Sequence, residues 1–186
     1  MRRCAAYVVL AVILAGCGGT ESTEPPTTQP AVTTQAVTTQ ADTNRMAMDA
    51  LIAFARAPSD ATWAAVPLAD SVGLGLGDTL RARRSARELR EPAAWRLNID
   101  LFRARAGTGS ALDLIASEQG RLKVTHGPHP HCATSPPVPP PPQVSDLERV
   151  VVQPRNPDGC LDWWTVDAFV DDDGKIRAVT LDLWEP

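Results

Sequence analysis

Residues 161–184 read LDWWTVDAFVDDDGKIRAVTLDLW and contain the clearest strand pattern in the chain. Apolar and polar side chains alternate with a period of two on both sides of residues 171–174 (DDDG), which is typical of β-strands. An Asp-Gly pair tolerates the positive φ angle that a hairpin turn requires. The sequence therefore predicts two long antiparallel strands, 161–170 and 176–184, joined by a tight turn.

The register of this hairpin predicts two very different faces. If the turn has an even length, odd positions of the first strand share a face with even positions of the second. One face is then entirely apolar and should pack against helices. Its members are Trp164, Val166, Ala168, Val170, Val179, Leu181 and Leu183.

The opposite face mixes indoles, hydroxyls and carboxylates, which is the composition of a ligand cleft with apolar walls and a few polar groups. Its members are Trp163, Thr165, Asp167, Phe169, Ile176, Thr180, Asp182 and Trp184. We predict that five of these residues face a cavity and bind a ligand. The five are Trp163, Thr165, Asp167, Asp182 and Trp184. The alternative is a sheet face without a site, either exposed to solvent or covered by a loop.

The elements that precede the hairpin predict a single α+β domain over residues 45–186, with N-terminal helices packed on a curved antiparallel sheet. Helical periodicity and capping residues predict helices over 45–57, 60–65 and 111–117. Period-two patterns predict strands over 71–77, 78–84, 95–101, 121–125 and 147–153, although the run 95–101 could instead enter a helix. The expected N-cap residues are Thr43 or Asn44, then Ser59 and Ser110.

The first of these strands has an unusual glycine face. Residues 71–77 (SVGLGLG) place Val72, Leu74 and Leu76 on one side and glycines on the other. Glycine inside a strand is typical of a bend or of a close neighbour. We therefore expect the strand to bend or a bulky side chain to lie across its glycine face.

Residues 126–143 form a proline-rich loop, and the run 136–142 predicts polyproline II. All three histidines of the chain, His126, His129 and His131, fall within the first six residues of this loop. Neutral imidazoles so close together could bind copper or zinc. The alternative is a surface loop without a metal. No other cofactor is predicted.

The N-terminus carries the most specific motif in the chain. Arg2 and Arg3 precede an apolar run over 5–14, and residues 14–17 read LAGC. The run is too short to span a bilayer but suits the apolar region of a signal peptide. The pattern resembles the lipobox of bacterial lipoproteins, and the resemblance implies cleavage before Cys17 and lipidation of its sulfur.

The lipobox divides the chain into three parts: a signal peptide over 1–16, a linker over 17–44, and the domain over 45–186. The linker is rich in Thr, Pro and Gln and has too little apolar surface to fold, so we expect it to be disordered. The alternative for this segment is an O-glycosylated stalk. In an oxidising compartment the remaining pair, Cys132 and Cys160, should form a disulfide, the alternative being free or metal-bound thiols.

The order of the predicted elements is helices, a short hairpin, another helix and a run of antiparallel strands. This order resembles the NTF2-like (cystatin-like) α+β fold. In that family a curved sheet and helices enclose a conical pocket that some members use for binding and others for catalysis. The resemblance implies such a pocket here, but no catalytic residue is carried over, because the three histidines lie in one loop and do not match the Asp–His pair of some family enzymes.

Taken together, these features predict a lipoprotein of the bacterial cell envelope, anchored to the outer face of the cytoplasmic membrane or to another envelope membrane. We expect it to be non-enzymatic and to bind a small molecule or an envelope protein partner. The chain has 22 acidic and 18 basic residues, so a nucleic acid partner is not expected. The alternatives are an enzyme with Asp167 or Asp182 as general base, and metal binding through the histidine loop.

Overall fold

The computed structural model describes residues 39–97, 109–118, 120–128, 137–155 and 163–183. The predictions for Cys17, Cys132, Cys160, His129, His131 and Trp184 lie outside these residues, as do the signal peptide and most of the linker. The helices are α1 (Gln40–Arg56), α2 (Asp60–Ala64) and α3 (Ala111–Ser117). The strands are β1 (Leu68–Leu76), β2 (Thr79–Ser85), β3 (Leu122–His126), β4 (Glu148–Pro154), β5 (Trp164–Val170) and β6 (Ile176–Leu183).

The strands form one six-stranded sheet in the order β2-β1-β6-β5-β4-β3, and the predicted α+β class is confirmed. The expectation of a purely antiparallel sheet is wrong at one position, because β1 runs parallel to β6. The hairpin of β1 and β2 joins the sheet beside the last strand of the chain instead of beside β3. A period-two pattern defines the two faces of a strand and leaves the direction of its neighbour open.

The helices cover one face of the sheet, and the apolar core lies between the helices and that face. The predicted apolar face of the closing hairpin is confirmed, since all of its members belong to this core. These are Trp164, Val166, Ala168, Val170, Val179 and Leu181, with Leu183 packed at its margin. From the helices, Met48, Leu51, Phe54, Leu112, Leu114 and Ile115 complete the core. Among the described residues, no helix is both long enough and apolar enough to cross a lipid bilayer.

Helix starts follow local capping chemistry. Ser59 and Ser110 cap α2 and α3 as predicted, and the Ser110 hydroxyl accepts from the Leu112 amide at 3.1 Å. The predicted cap of α1 is wrong: the helix begins at Gln40, and Thr39 forms a capping box with Asp42. Helix α1 therefore takes in residues 40–44, which the sequence pattern assigned to the linker.

The closing hairpin has the predicted register along most of its length. Thr165 lies opposite Asp182, and Asp167 lies opposite Thr180. A bulge next to the turn shifts the register between Phe169 and the following residue, and Ile176 enters the helix-side core. The prediction that placed Ile176 on the polar face is therefore wrong, since an extra residue in one strand reverses the side chains beyond it.

Both features predicted for the glycine face of β1, an irregular backbone and a close neighbour, are present. The strand has a bulge between Leu74 and Gly75. A Cβ atom at Gly73 would lie 2.9 Å from Leu80 Cδ1, and one at Gly75 would lie 2.5 Å from the carbonyl oxygen of Thr79. The glycines therefore allow β2 and β6 to approach β1 closely.

The predicted strand over 95–101 is wrong at its start. Trp95 closes a 3-10 helix, Pro92–Trp95, and its indole nitrogen donates to the Leu89 carbonyl at 2.7 Å. The proline at the first position of this turn favours helical φ angles, which overrides the alternating pattern that follows it. Arg96 then makes a single bridge to Ser110.

Candidate functional site

We call the sheet face opposite the helices the polar face. A proline-rich strap, residues 137–147, runs across part of it. Val144 of the strap packs on Phe169 and Ala178, with Leu80 and Leu147 at the margin. The alternative that a loop covers this sheet face therefore applies where the strap lies. The side chains under the strap are withdrawn from solvent.

The strap has the extended backbone that its prolines favour. Pro141 has a φ of −55° and a ψ of 136°, close to polyproline II. Next to it, Pro142–Val144 forms one 3-10 turn. Because polyproline II has no internal hydrogen bonds, its carbonyl oxygens can accept bonds from elsewhere in the molecule.

One arginine connects the strap to the sheet. Arg149, on β4, donates from Nη1 to the carbonyl oxygen of Val138 at 2.6 Å and from Nη2 to Oδ2 of Asp167 on β5. Its guanidinium carbon also lies 5.9 Å from the centre of the Phe169 ring. The side chains of this ion pair are only 10% and 4% exposed, so solvent screens the pair weakly.

Burial dominates the electrostatics of Asp167. Loss of hydration raises the pKa of its carboxyl group to about 6, against an ordinary 3.8. The charge and hydrogen bond of Arg149 and the Thr165 hydroxyl act in the opposite direction and lower the pKa, while the Asp182 carboxylate raises it further. Asp167 therefore changes its protonation state in a mildly acidic range.

Polar side chains surround Val151 on this face. Val151 is fully buried on β4, with Thr125 opposite it on β3 and Asp167 opposite it on β5. Arg149 and Gln153 lie two residues before and after it, so alternation places their side chains on the same face. We call the four residues around Val151 the Val151 ring; they are Thr125, Arg149, Gln153 and Asp167.

Each residue of the Val151 ring has a buried polar atom without a hydrogen-bond partner among the described residues. The atoms are Thr125 Oγ1, Arg149 Nε, Gln153 Oε1 and Asp167 Oδ1. They are four of the six such atoms in the described part of the chain. Folded proteins leave few buried polar groups unsatisfied, so four such atoms around one valine are an unusual concentration.

The predicted ligand residues lie beside this ring. Trp163, Thr165 and Asp167 are at most 6% exposed, and Asp182, opposite Thr165, is half-buried. Trp163, Thr165 and Asp167 are therefore withdrawn from bulk solvent, and Asp182 is partly exposed to it. Of the predicted set, only Asp167 belongs to the Val151 ring.

Thr125, Arg149 and Gln153 are not among the site residues predicted from the sequence. A signal for two of them was present, because alternation within residues 147–153 (LERVVVQ) places Arg149, Val151 and Gln153 on one face. An arginine and a glutamine on either side of a central valine are unusual for a buried strand face. Which strand would lie beside them could not be read from this pattern.

The histidine loop is described only at its start. His126 is the last residue of β3, lies opposite Val150 and is exposed. In the described ranges, no three His, Cys, Asp or Glu side chains are grouped as a metal site. Metal binding through His126, His129 and His131 stays a prediction.

The acidic turn of the closing hairpin is held by its own backbone. The Asp171 carboxylate accepts from the amides of Asp173 and Lys175 at 3.1 and 2.8 Å and from Arg177 Nε at 2.5 Å. Gly174 has a φ of +75°, as an Asp-Gly turn requires. These contacts give the Asp171 carboxylate a structural role in the turn.

Comparison with known proteins found no match: no family model, no curated protein and no solved structure resembles this chain at a significant level.

Proposed function

We propose that this chain is a lipid-anchored extracytoplasmic protein of the bacterial envelope that binds a small molecule on the polar face of its sheet without transforming it. The observation that carries the proposal is the Val151 ring, with four buried and unpaired polar atoms. An envelope protein partner is the second kind of ligand that the sequence allows.

The energetics of burial support binding at this ring. A buried polar group without a partner destabilises a fold by about 1–3 kcal/mol, so such groups rarely accumulate on one face. Here they accumulate around Val151, next to an ion pair that is itself withdrawn from water. A ligand that pairs with these atoms would recover part of that free energy on binding.

The arrangement of Asp167 favours binding over catalysis. Its Oδ2 atom is held by Arg149, and its Oδ1 atom is a buried acceptor without a partner that a ligand donor can fill. The sequence also contains neither the G-x-S-x-G nor the H-E-x-x-H motif. We therefore propose the non-enzymatic function first.

One observation supports the enzyme alternative. A carboxyl group whose pKa is about 6 is suited to general base catalysis near neutral pH. In that case Asp167→Asn would abolish turnover while substrate still binds. In the binding function, the same variant would weaken ligand binding and no turnover would be observed in either protein.

The localisation rests on the lipobox-like sequence at residues 14–17. Two or more acyl chains on the N-terminal cysteine bury enough methylene groups for stable membrane anchoring. Fractionation of cells that express Cys17→Ser tests this part. If the variant stays in the membrane fraction like the parent, the lipid anchor is disproved.

The finer fold assignment, an NTF2-like cone, is also a proposal. It is supported by the observed element order: two helices, a hairpin, a third helix and four antiparallel strands. One feature departs from the family arrangement. The helix side of the sheet is filled by buried apolar residues such as Trp164 and Leu181, and the proposed site lies on the other side.

A thermal-shift screen of the full-length protein in detergent tests the binding function, since a ligand of the native state raises the unfolding temperature. We expect at least one small polar compound to stabilise the parent and the Gln143→Leu control, and to stabilise Gln153→Leu much less. Gln143 is the matched control because it is exposed on the strap. Equal stabilisation of the parent and Gln153→Leu would contradict a site at the Val151 ring.

A further inference from the structure

The Val151 ring has dimensions that follow from the sheet. Neighbouring strands lie about 4.8 Å apart, so the backbones of Thr125 and Asp167, on either side of β4, are separated by roughly 10 Å. Arg149 and Gln153 are four residues apart on one strand, which is roughly 13 Å. These are distances between backbones, and the four side chains reach into the area that the backbones enclose, so a molecule that contacts all four at once must be small.

The buried charges on this part of the polar face are paired. Asp167 and Arg149 form an ion pair, and Asp182 lies on β6, two residues beyond the position opposite Asp167. Lys123, opposite Gln153 on β3, adds one exposed positive charge. Because Arg149 and Asp167 neutralise each other, the buried part of the ring has no net charge that would select an anion or a cation.

The unpaired atoms define what a ligand must offer. Asp167 Oδ1 and Gln153 Oε1 accept hydrogen bonds, Arg149 Nε donates one, and the Thr125 hydroxyl can do either. A complementary ligand needs several donors and at least one acceptor at short spacing. A hydroxyl group supplies one donor and two acceptor sites without a charge.

We propose that the Val151 ring binds a neutral polyhydroxylated molecule, a cyclic polyol or a monosaccharide, through its hydroxyl groups. This inference rests on the proposed binding function and names the ligand class for the same site. A carboxylate or phosphate ligand would add negative charge beside Asp167 and Asp182. An inorganic cation would lie against the Arg149 guanidinium, which is buried and has no other carboxylate partner in the described residues.

The selectivity of such a site follows from burial. A site that hydrogen-bonds hydroxyl groups discriminates strongly against an analogue that lacks them, because its own buried groups are then left unpaired. Myo-inositol and cyclohexanol have the same carbon ring and differ in the number of hydroxyls. They are therefore matched probes, and glucose is a second polyol.

The test is an NMR titration of the full-length protein in detergent micelles. The reporter is the ¹H–¹⁵N signal of Arg149 Nε, assigned by its loss in Arg149→Lys. We expect myo-inositol or glucose to shift this signal saturably, and cyclohexanol to leave it unchanged. Gln153→Leu and Thr125→Val should each weaken the apparent affinity about tenfold, the effect of one lost hydrogen bond in a buried site. Gln143→Leu should bind like the parent.

The failure of the ligand class and the failure of the site give different results. If L-alanine or acetate shifts the Arg149 signal saturably and the polyols do not, the polyol proposal is wrong and a binding site remains. If the polyols shift the signal equally in the parent and in both ring variants, the Val151 ring is not where they bind. If none of these probes shifts the signal, the polyol proposal is also wrong, and the thermal-shift screen alone then decides the proposed function.

Discussion

Gln153 is expected to lower the stability of the ligand-free protein. Its side-chain oxygen is buried and has no partner in the described part of the chain. Replacing it with leucine, which has a similar volume, removes an unsatisfied group from a site that is 7% exposed. We expect Gln153→Leu to raise the free energy of unfolding by about 1 kcal/mol.

Urea unfolding of the ligand-free protein measures this effect. The exposed control Gln143→Leu should stay within about 0.5 kcal/mol of the parent. A loss of more than 1 kcal/mol in Gln153→Leu would mean that the glutamine oxygen has a partner in the folded protein, and the Val151 ring would lose one of its four groups.

Asp167 gives the folded state a characteristic pH dependence. Its pKa is about 6 in the folded protein and 3.8 as the ordinary value, so the native state holds this proton more tightly than the unfolded chain. The contribution of this group to stability is complete below pH 4 and is lost as the pH rises through about 6. The full loss is on the order of 3 kcal/mol.

Comparison with Asp167→Asn isolates this contribution, since asparagine does not titrate. The free energy of unfolding of the parent minus that of the variant should decrease between pH 4 and pH 7. Carboxylates with lowered pKa values, such as Asp171, affect both proteins equally and cancel in the difference. A difference that is constant or increases with pH would show that Asp167 is not buried as described.

At the residue scale the sequence predicted part of the candidate site. The alternating pattern placed Thr165, Asp167 and Asp182 on one face, and the register agrees. It did not reveal Arg149, because the contact between Arg149 and Asp167 depends on which residues of β4 and β5 lie side by side. That register is set by packing and by the connection between the strands, neither of which has a local signature.

Among the elements, β1 depends most on its glycines. A Cβ atom at Gly75 would lie 2.5 Å from a backbone oxygen of Thr79 and 2.9 Å from Thr180 Cγ2. A backbone atom in a strand pair cannot move aside, so we expect Gly75→Ala to destabilise the protein by about 1–3 kcal/mol. Thermal or urea unfolding measures the change.

Gly73→Ala is the matched control on the same face. Its Cβ atom would meet the end of the Leu80 side chain at 2.9 Å, and that end can rotate. The loss should be less than half of that in Gly75→Ala. Equal losses for the two variants would contradict the close approach of the backbones at Gly75.

Most caps and turns that depend only on neighbouring residues were predicted correctly from the sequence. Ser110 caps α3 and the Asp-Gly turn closes the last hairpin, because each requires only neighbouring groups. The start of α1 was missed because Thr39 and Thr43 are both acceptable caps. The Asp42 carboxylate completes the capping box of Thr39 and decides between them.

Two features could not be predicted from local sequence. They are the parallel pairing of β1 with β6 and the bulge near Ile176. Both depend on contacts between segments about a hundred residues apart or on a single extra residue in a ladder. A period-two pattern is identical for parallel and antiparallel neighbours, so the sequence could not distinguish them.

For the molecule as a whole, the connection that we expect to affect stability most is the proline-rich segment between β3 and β4. The strap covers part of the polar face, and the predicted disulfide between Cys132 and Cys160 would tie the chain just before the strap to the chain just before β5. In the chain-entropy description, a bond that closes a loop of this length stabilises the fold by about 3–4 kcal/mol. Non-reducing peptide mapping should recover the two cysteines in one linked pair, and reduction should lower the unfolding temperature. Recovery of both thiols in free form would contradict the disulfide.

A high-resolution crystal structure of the full-length protein, grown at neutral pH with myo-inositol, would show whether the polar face holds a ligand at the Val151 ring. We expect electron density from a non-protein molecule within hydrogen-bond distance of Arg149 Nε, Asp167 Oδ1 and Gln153 Oε1. A structure in which other protein groups bond all of these atoms, and leave no space above Val151, would contradict this expectation.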